Sequence, residues 1–334
     1  MSRHVVFGVG QVGSHVVTQL VDAGEEVIAV SRSGAVSFDG ATNVAGDATD
    51  PMFTVDVCEG ADTIYFCLDA PDYDRWPEQF PPLQRGVLAG ARACGPSTRL
   101  VVLENLYGYG PVAGAPISEG LPLAATSAKA GTRIAMTAEL LAAHAAGEVD
   151  VVIGRASDYF GPGCSHSALG ELVFDTAVVG KTAQVMGEPD TRHSYSYTPD
   201  VARALIALGS AGTDVTGQVW HLPAADAWTT RQIIAHVYGL AGRKPKSFAA
   251  GRTTLRLLGL VNPAMKEYLH TLYQFTDDWI VDDAKFRNRF GSTATPMEES
   301  LRTTFSGVAD RSGTPGAQAT DQAVVARRLE GEVR

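Results

Sequence analysis

Apolar residues in this chain come in short runs separated by longer stretches in which they recur every three or four positions. The runs His4–Phe7 (HVVF), Glu26–Val30 (EVIAV), Asp62–Cys67 (DTIYFC), Arg99–Leu103 (RLVVL) and Asp150–Gly154 (DVVIG) are rich in β-branched residues and nearly free of polar alternation. That texture predicts strands covered by helices on both faces of a parallel sheet. A shorter strand is expected near Asn43–Ala45. Between the runs, Ser14–Ala23 and Thr126–Ala146 have helical spacing, and Gly24 and Gly147 stand where those helices should stop. The alternation over residues 1–160 predicts an α/β class with a doubly wound parallel sheet.

After Gly161 the pattern changes: proline and glycine punctuate shorter elements, as in GPGC, MGEPDT, HLPAADAW and VNPAM. Helical stretches at Pro199–Ile206 and Thr229–Leu240 alternate with brief strands such as Gly217–Leu222. No Gly, Ser or Pro linker precedes them, so residues 161–305 are expected to form a smaller α+β lobe interwoven with the first and closing a cleft over it. From about Ser306 to Arg334 the chain is poor in aromatics and rich in small and charged residues, and it is expected to be mobile or weakly helical.

Composition narrows the classes. The 334 residues are 45% hydrophobic and 19% charged, the balance of a globular protein large enough to bury a core. Lys and Arg total 27 against 37 acids, for a net charge of −10, which argues against binding to a nucleic-acid backbone. No run of about 18 apolar residues could span a membrane, and the N-terminus lacks the layout of a signal peptide. The four cysteines have no CxxC spacing, so reduced thiols and a cytoplasmic location are expected.

The first chemistry sits at the end of the first strand. VVFGVGQVGSHVV places Gly8, Gly10 and Gly13 in a GxGxxG pattern between a strand and a helix. The first glycine suits a tight turn, the second close approach of backbone to a pyrophosphate, and the third close packing of helix on strand. With Gln11 and Val12 at the helix start, this predicts a Rossmann-type dinucleotide site. The second strand ends Ser31-Arg32-Ser33, with no acid to accept from a ribose 2′-hydroxyl, and an arginine between two hydroxyls suits a 2′-phosphate. The expected cofactor is therefore NADP(H). Asp47 and Ala48 after the third strand, Cys67 and Leu68 after the fourth and Asn105 after the fifth complete the expected cofactor contacts; for Asp47, an adenine contact and an ordinary Asx turn remain equally open.

Four segments resemble motifs of the extended short-chain dehydrogenase/reductase superfamily, the NAD-dependent epimerases and dehydratases, in its atypical form: GVGQVG, LENLYGYGP (Leu103–Pro111), GRASDYFGPG (Gly154–Gly163) and HSYSYTPDVARAL (His193–Leu205). The resemblance spans about residues 3 to 305. It implies a dinucleotide lobe, a substrate lobe and hydride transfer at a substrate carbon. It also implies a Tyr-x-x-x-Lys pair on one helix face and a hydroxyl at the preceding strand end. Here the sequence departs from the pattern. None of the ten tyrosines has a lysine four residues later; Lys129 and Arg133 occupy the pair's positions, and Leu103 the hydroxyl's.

Three readings follow. Tyr107 or Tyr109 donates the proton while Lys129 supplies positive charge near the cofactor ribose or lowers the phenol pKa; or Lys129 is itself the acid; or the protein binds NADP without chemistry and serves as a regulatory or partner-binding protein. Tyr107 at a strand end also suits a packed ring, whereas Tyr109 between two glycines is expected to reach the cleft. Arg155, Tyr159, His193 and Tyr195 are the candidate substrate contacts. The eight histidines form no HxH or HxxxH pair, so no metal is expected. No GxSxG elbow is present. The expected activity is that of an NADP-dependent oxidoreductase or epimerase-like enzyme on a small polar carbonyl or sugar-like substrate. The resemblance also leaves open a homodimer paired through the Thr126–Ala146 helix.

Overall fold

The computed structural model describes residues 1–260 and 267–313. Its centre is a seven-stranded sheet in which every neighbouring pair is parallel. Six strands come from the first half: β1 (Arg3–Phe7), β2 (Glu26–Ser31), β3 (Thr42–Ala45), β4 (Thr63–Phe66), β5 (Arg99–Glu104) and β6 (Asp150–Arg155). β7 (Val219–His221) comes from beyond residue 160 and pairs with β6, Val219 opposite Ile153. The order β7-β6-β5-β4-β1-β2-β3 reverses direction at β1, which places the crevice of a doubly wound sheet above the carboxyl end of that strand.

Side chains alternate across the sheet, as the two-residue strand period requires. Val5 and Phe7 pack on one face with α2 (Pro51–Cys58), α3 (Trp76–Cys94) and α4 (Ala128–Ala145); Val6 packs on the other with α1 (Gly13–Asp22) and α5 (Thr198–Ser210). α3 was hidden in the sequence by its prolines. Pro77 sits in the first turn, where no N–H is needed, but Pro81 and Pro82 lie inside the helix. Burial of Phe80, Val87, Leu88 and Ala91 on the sheet outweighs their local preference.

The second half builds its own core around Phe160, Leu169, Phe174, Ile233 and Leu301, with α6 (Thr230–Leu240) and α7 (Met297–Gly313). It is sewn to the first by α5 against α1, where Gln19 Nε2 donates to the Pro199 carbonyl at 2.9 Å. Of the stretch expected from residue 306 to be mobile or weakly helical, the first part is helical: α7 runs to Gly313 and buries Val308 against this core. Residues 314–334 lie outside the described residues. No helix among the described residues is long and apolar enough to cross a membrane.

Arg99, at the start of β5, is 8% exposed and bonds Asp150 Oδ2 at 2.8 Å through Nη2. Its Nη1 donates to the carbonyls of Leu208 and Ala211 at the end of α5. This clamp joins two strands of the first half to a helix of the second. Arg99→Met should lower the unfolding free energy in urea by about 3 kcal/mol, because it leaves Asp150 and several carbonyls short of a buried partner.

Candidate functional site

The loop after β1 has the shape its glycines require. Gly8 has φ +89°, and a Cβ there would stand 2.7 Å from the Cys67 carbonyl oxygen; a Cβ on Gly13 would stand 1.9 Å from the Gly8 oxygen. Gly10 is exposed, and a Cβ on it would meet nothing within 4 Å. Two glycines are therefore demanded by the protein itself, and the third leaves backbone open for a ligand. Val12 begins α1 without a side-chain cap, so the helix N-terminus faces that opening with its dipole available to an anion. Cys67 walls the loop, and burial pushes its thiol up to about 12. Gln11 ties the loop to the second half: its Oε1 accepts from Cys164 Sγ at 2.7 Å and its Nε2 donates to the His166 carbonyl at 3.2 Å.

At the end of β2, Ser31 Oγ and Ser33 Oγ accept from the backbone N–H groups of Gly34 and Ala35. Arg32 between them is exposed. Asp47 makes the Asx turn: its Oδ1 accepts from Thr49 N and Oγ1, both at 2.9 Å, and those bonds, with the Arg32 charge, hold its carboxyl below the usual range. Ala48 is buried with its carbonyl against Gly86, and Leu68 packs on the sheet core.

The two cations of α4 are buried. Lys129 is 2% exposed, with Nζ 3.3 Å above the Tyr73 ring and 3.5 Å from Glu267 Oε2. Arg133, one turn on, donates through Nη2 to the Leu103 carbonyl at 3.1 Å and lies over the Phe80 ring at 4.5 Å; its Nε and Nη1 have no hydrogen-bond partner. The Leu103 position thus serves through its backbone oxygen. Tyr73 donates to the Tyr107 hydroxyl at 3.4 Å and stacks on Tyr268 at 5.1 Å, while Asn105 braces the turn by accepting from Tyr107 N. Burial pulls Lys129 down to about 8 against the opposing pull of Glu267. Burial, with the neighbouring Tyr73 and Asp158, pushes Tyr107 well above its ordinary value.

Tyr109 belongs to a different cluster. Its hydroxyl is 2.7 Å from His221 Nε2 and accepts from Arg155 Nη1 at 2.9 Å. Arg155 in turn bonds Glu104 Oε2 at 2.9 Å, and Glu104 Oε1 accepts from Thr137 Oγ1 at 2.7 Å. His221 Nδ1 lies 3.1 Å from the Asp282 carbonyl, which assigns the ring proton to Nδ1 and makes Nε2 the acceptor of the phenol. Tyr109 is only 2% exposed, so it braces β5, β6 and β7 instead of lining open space, and Arg155 shares that role.

The remaining candidates meet between the lobes. Asp158 Oδ2 is 2.9 Å from His193 Nε2, and His193 Nδ1 is 3.0 Å from the Gln274 carbonyl. The His193 ring stacks on Phe275 at 4.9 Å and lies 4.3 Å from Tyr195, itself 1% exposed. Tyr159 pairs with Ser196 through its short strand; burial raises its phenol and the Arg133 charge lowers it. Sequence reasoning missed Tyr73, His221, Glu267 and Tyr268, which have no motif and reach their places from distant segments, and Glu104, which lies within LENLYGYGP without a signal of its own. Among the described residues no group of three or more potential metal ligands forms.

The model of the NAD dependent epimerase/dehydratase family matches residues 4–222. The chain belongs to that family. Solved structures share its fold across both lobes. A UDP-glucuronic acid 4-epimerase from Bacillus cereus, in complex with NAD, is 14% identical with a TM-score of 0.77, covering 96% of this chain and 100% of that one. A dTDP-glucose 4,6-dehydratase from Streptomyces venezuelae with NAD is 20% identical with a TM-score of 0.76, covering 94% and 98%. A putative epimerase from Burkholderia cenocepacia is 18% identical with a TM-score of 0.72, covering 92% and 98%. A comparison with curated protein sequences finds no match. The family's description names NAD, and the first two of these structures hold NAD.

Two substitutions separate binding from bracing. Gly10→Ala should leave the melting temperature nearly unchanged and weaken dinucleotide binding about tenfold or more, read by titration calorimetry. Tyr109→Phe should lower stability by about 1–3 kcal/mol in urea, since Arg155 and His221 lose a buried partner, and leave dinucleotide affinity in place.

Proposed function

We propose that this family member is an NADP(H)-dependent oxidoreductase or epimerase-like enzyme acting on a small polar carbonyl or sugar-like substrate, with Lys129 as its proton donor. The observation that carries this reading is the buried pair Lys129 and Arg133 beside the Tyr73–Tyr107 hydroxyls, where the family pattern has Tyr and Lys. Of the candidate donors, only Lys129 is shifted toward neutrality; burial raises both phenols, Tyr107 and Tyr109. An ammonium in that range loses a proton readily at working pH. Bound at the glycine loop, the dinucleotide would supply the hydride. Lys129 then protonates the substrate oxygen, and the unpartnered Arg133 N–H groups stabilise the negative charge growing on it.

Preference for the phosphorylated cofactor is supported by Arg32. It is exposed at the end of β2, and the Ser31 and Ser33 oxygens accept backbone bonds, leaving their O–H groups free to donate to a phosphate. Two of the neighbours named above carry NAD, so the choice rests on this chain's own strand end. The second reading, a dinucleotide-binding regulatory protein without turnover, is favoured by one observation: Lys129 is 2% exposed with Nζ against the Tyr73 ring, so side chains must move before a substrate reaches it.

Calorimetry should give NADPH at least about tenfold tighter than NADH; equal affinity or the reverse order rejects the phosphate assignment. In stopped-flow reduction of a carbonyl panel, Lys129→Met should slow the chemical step by about 10²–10⁴. The wild-type rate should fall as pH rises through about 8, because the ammonium must keep its proton to donate it. Tight binding with no turnover of any substrate would establish the regulatory reading instead.

A further inference from the structure

Lys129 is 2% exposed, and its Nζ is buried without a hydrogen-bond partner. The proton donor of the proposed reaction is therefore shut off from the solvent that must resupply it. Reducing a carbonyl takes up one proton per turnover, and an amine that has given its proton away stays spent until another acid restores it.

Titratable and charged groups face Lys129 from both lobes. Arg133 stands one turn along on α4 itself. The loop after β4 supplies Tyr73, whose ring centre lies 3.3 Å from Nζ, and Asp74, an exposed acid whose charge also acts on the ammonium. Tyr107 bonds the Tyr73 hydroxyl, and the Asp158 charge acts on Tyr73, Tyr107 and Tyr268. The second lobe brings Tyr268 and Glu267, with Glu267 Oε2 3.5 Å from Nζ. Burial holds the Tyr73 and Tyr107 phenols above their ordinary range, so neither trades a proton easily near neutrality. Glu267 combines contact with the ammonium and access to water: its side chain is 25% exposed against 2% for Lys129.

The backbone holds that carboxylate in place. Tyr268, the next residue, stacks on Tyr73 at 5.1 Å, the same ring that packs against Nζ. The chain then turns, His270 N donating to the Glu267 carbonyl at 3.1 Å and Thr271 N to the Tyr268 carbonyl at 3.2 Å. Thr271 and Leu272, 4% and 0% exposed, anchor the turn in the second lobe. At 3.5 Å the two groups form an ion pair longer than a hydrogen bond, and a shift of about 0.7 Å brings them to charge-assisted bonding distance.

Resting on the oxidoreductase reading proposed above, we infer that Glu267 is the positioning residue of Lys129: it holds the ammonium and carries protons between it and solvent. Once Lys129 has protonated a substrate oxygen, its amine is neutral. The Glu267 carboxylate takes a proton from hydronium or a buffer acid. Its O–H bond then breaks as an N–H bond forms on Lys129, which restores carboxylate and ammonium. An amine is a much stronger base than a carboxylate, so this second transfer runs toward Lys129. Each carbonyl reduced consumes one solvent proton and one hydride, the hydride coming from the bound dinucleotide.

Two NMR readings test the link without a substrate. The chain has six lysines, so labelling lysine with ¹³C at Cε and ¹⁵N at Nζ gives a sparse spectrum, in which Lys129 is the signal missing from Lys129→Met. In Glu267→Gln the Lys129 titration midpoint should fall by about one pH unit or more, because an opposite charge within contact has been removed; in Glu267→Asp it should fall less. At about pH 6, exchange of the Lys129 Nζ hydrogens with water should slow at least about tenfold in Glu267→Gln and recover in part in Glu267→Asp. An ion pair that carries no protons makes the opposite prediction, since losing Glu267 uncovers the ammonium and quickens exchange. An unmoved midpoint, or exchange that is unchanged or faster, would overturn the inference. The oxidoreductase reading fails separately: if both NMR readings come out as stated while the wild type reduces nothing in the carbonyl panel, the link between Glu267 and Lys129 stands and the reaction does not.

Discussion

Two positive charges buried one helical turn apart set the terms for the rest of this site. Lys129 and Arg133 stand on the sheet-facing side of α4, 2% and 4% exposed. Isolated there they would be strongly unfavourable, since burying an ammonium or guanidinium without partners exceeds what hydrophobic packing nearby can offset. The structure surrounds them with Phe80, the Leu103 carbonyl, Tyr73 and Glu267. Those partners come from α3, the end of β5, the loop after β4 and a segment of the second half. The enclosure remains incomplete, because two Arg133 nitrogens and Lys129 Nζ have no hydrogen-bond partner. Incomplete satisfaction of deeply buried cations is a usual mark of a site that expects a ligand.

The same requirement explains why the halves are not separable modules. The second half supplies β7 to the sheet, α5 to its face and Glu267 to Lys129. Beneath the cleft, the chain from Thr137 through Glu104, Arg155 and Tyr109 to His221 crosses the boundary again, using each polar atom that burial would otherwise strand. Such a network ties together the ends of β5, β6 and β7, the first of which carries the Tyr107 turn. What stays adjustable is the aromatic contact between the lobes, where Tyr73 meets Tyr268 through ring stacking alone.

Local signals carried far in the first half. Strand runs, helix spacing and the GxGxxG loop are properties of neighbouring residues, so they were legible directly, as was the absence of a Tyr-x-x-x-Lys pair. Lys129 and Arg133 were visible because two cations in an otherwise small and apolar helix are conspicuous. Tyr109 shows the limit of such reading. Flanked by glycines it reads as a loop residue bound for the cleft, and only the distant His221 and the buried Arg155 explain why its ring turns inward. Helix α3 failed to announce itself for the opposite reason: its prolines are local, whereas the burial that overrides them is tertiary.

The sequence by itself determined the strands of the first half, the GxGxxG loop, the family resemblance and the absence of a Tyr-x-x-x-Lys pair, because each depends on residue types at short, fixed spacings. Only the tertiary structure decided which polar groups share an environment. It joined Lys129 to Tyr73 and Glu267, set Tyr109 into a brace, and brought Asp158 and His193 within 2.9 Å of each other across 35 residues of chain. Spacing along a chain specifies backbone geometry over a few residues. Proton affinity and charge balance depend instead on what closes over a side chain, and here that closure comes from segments more than a hundred residues away.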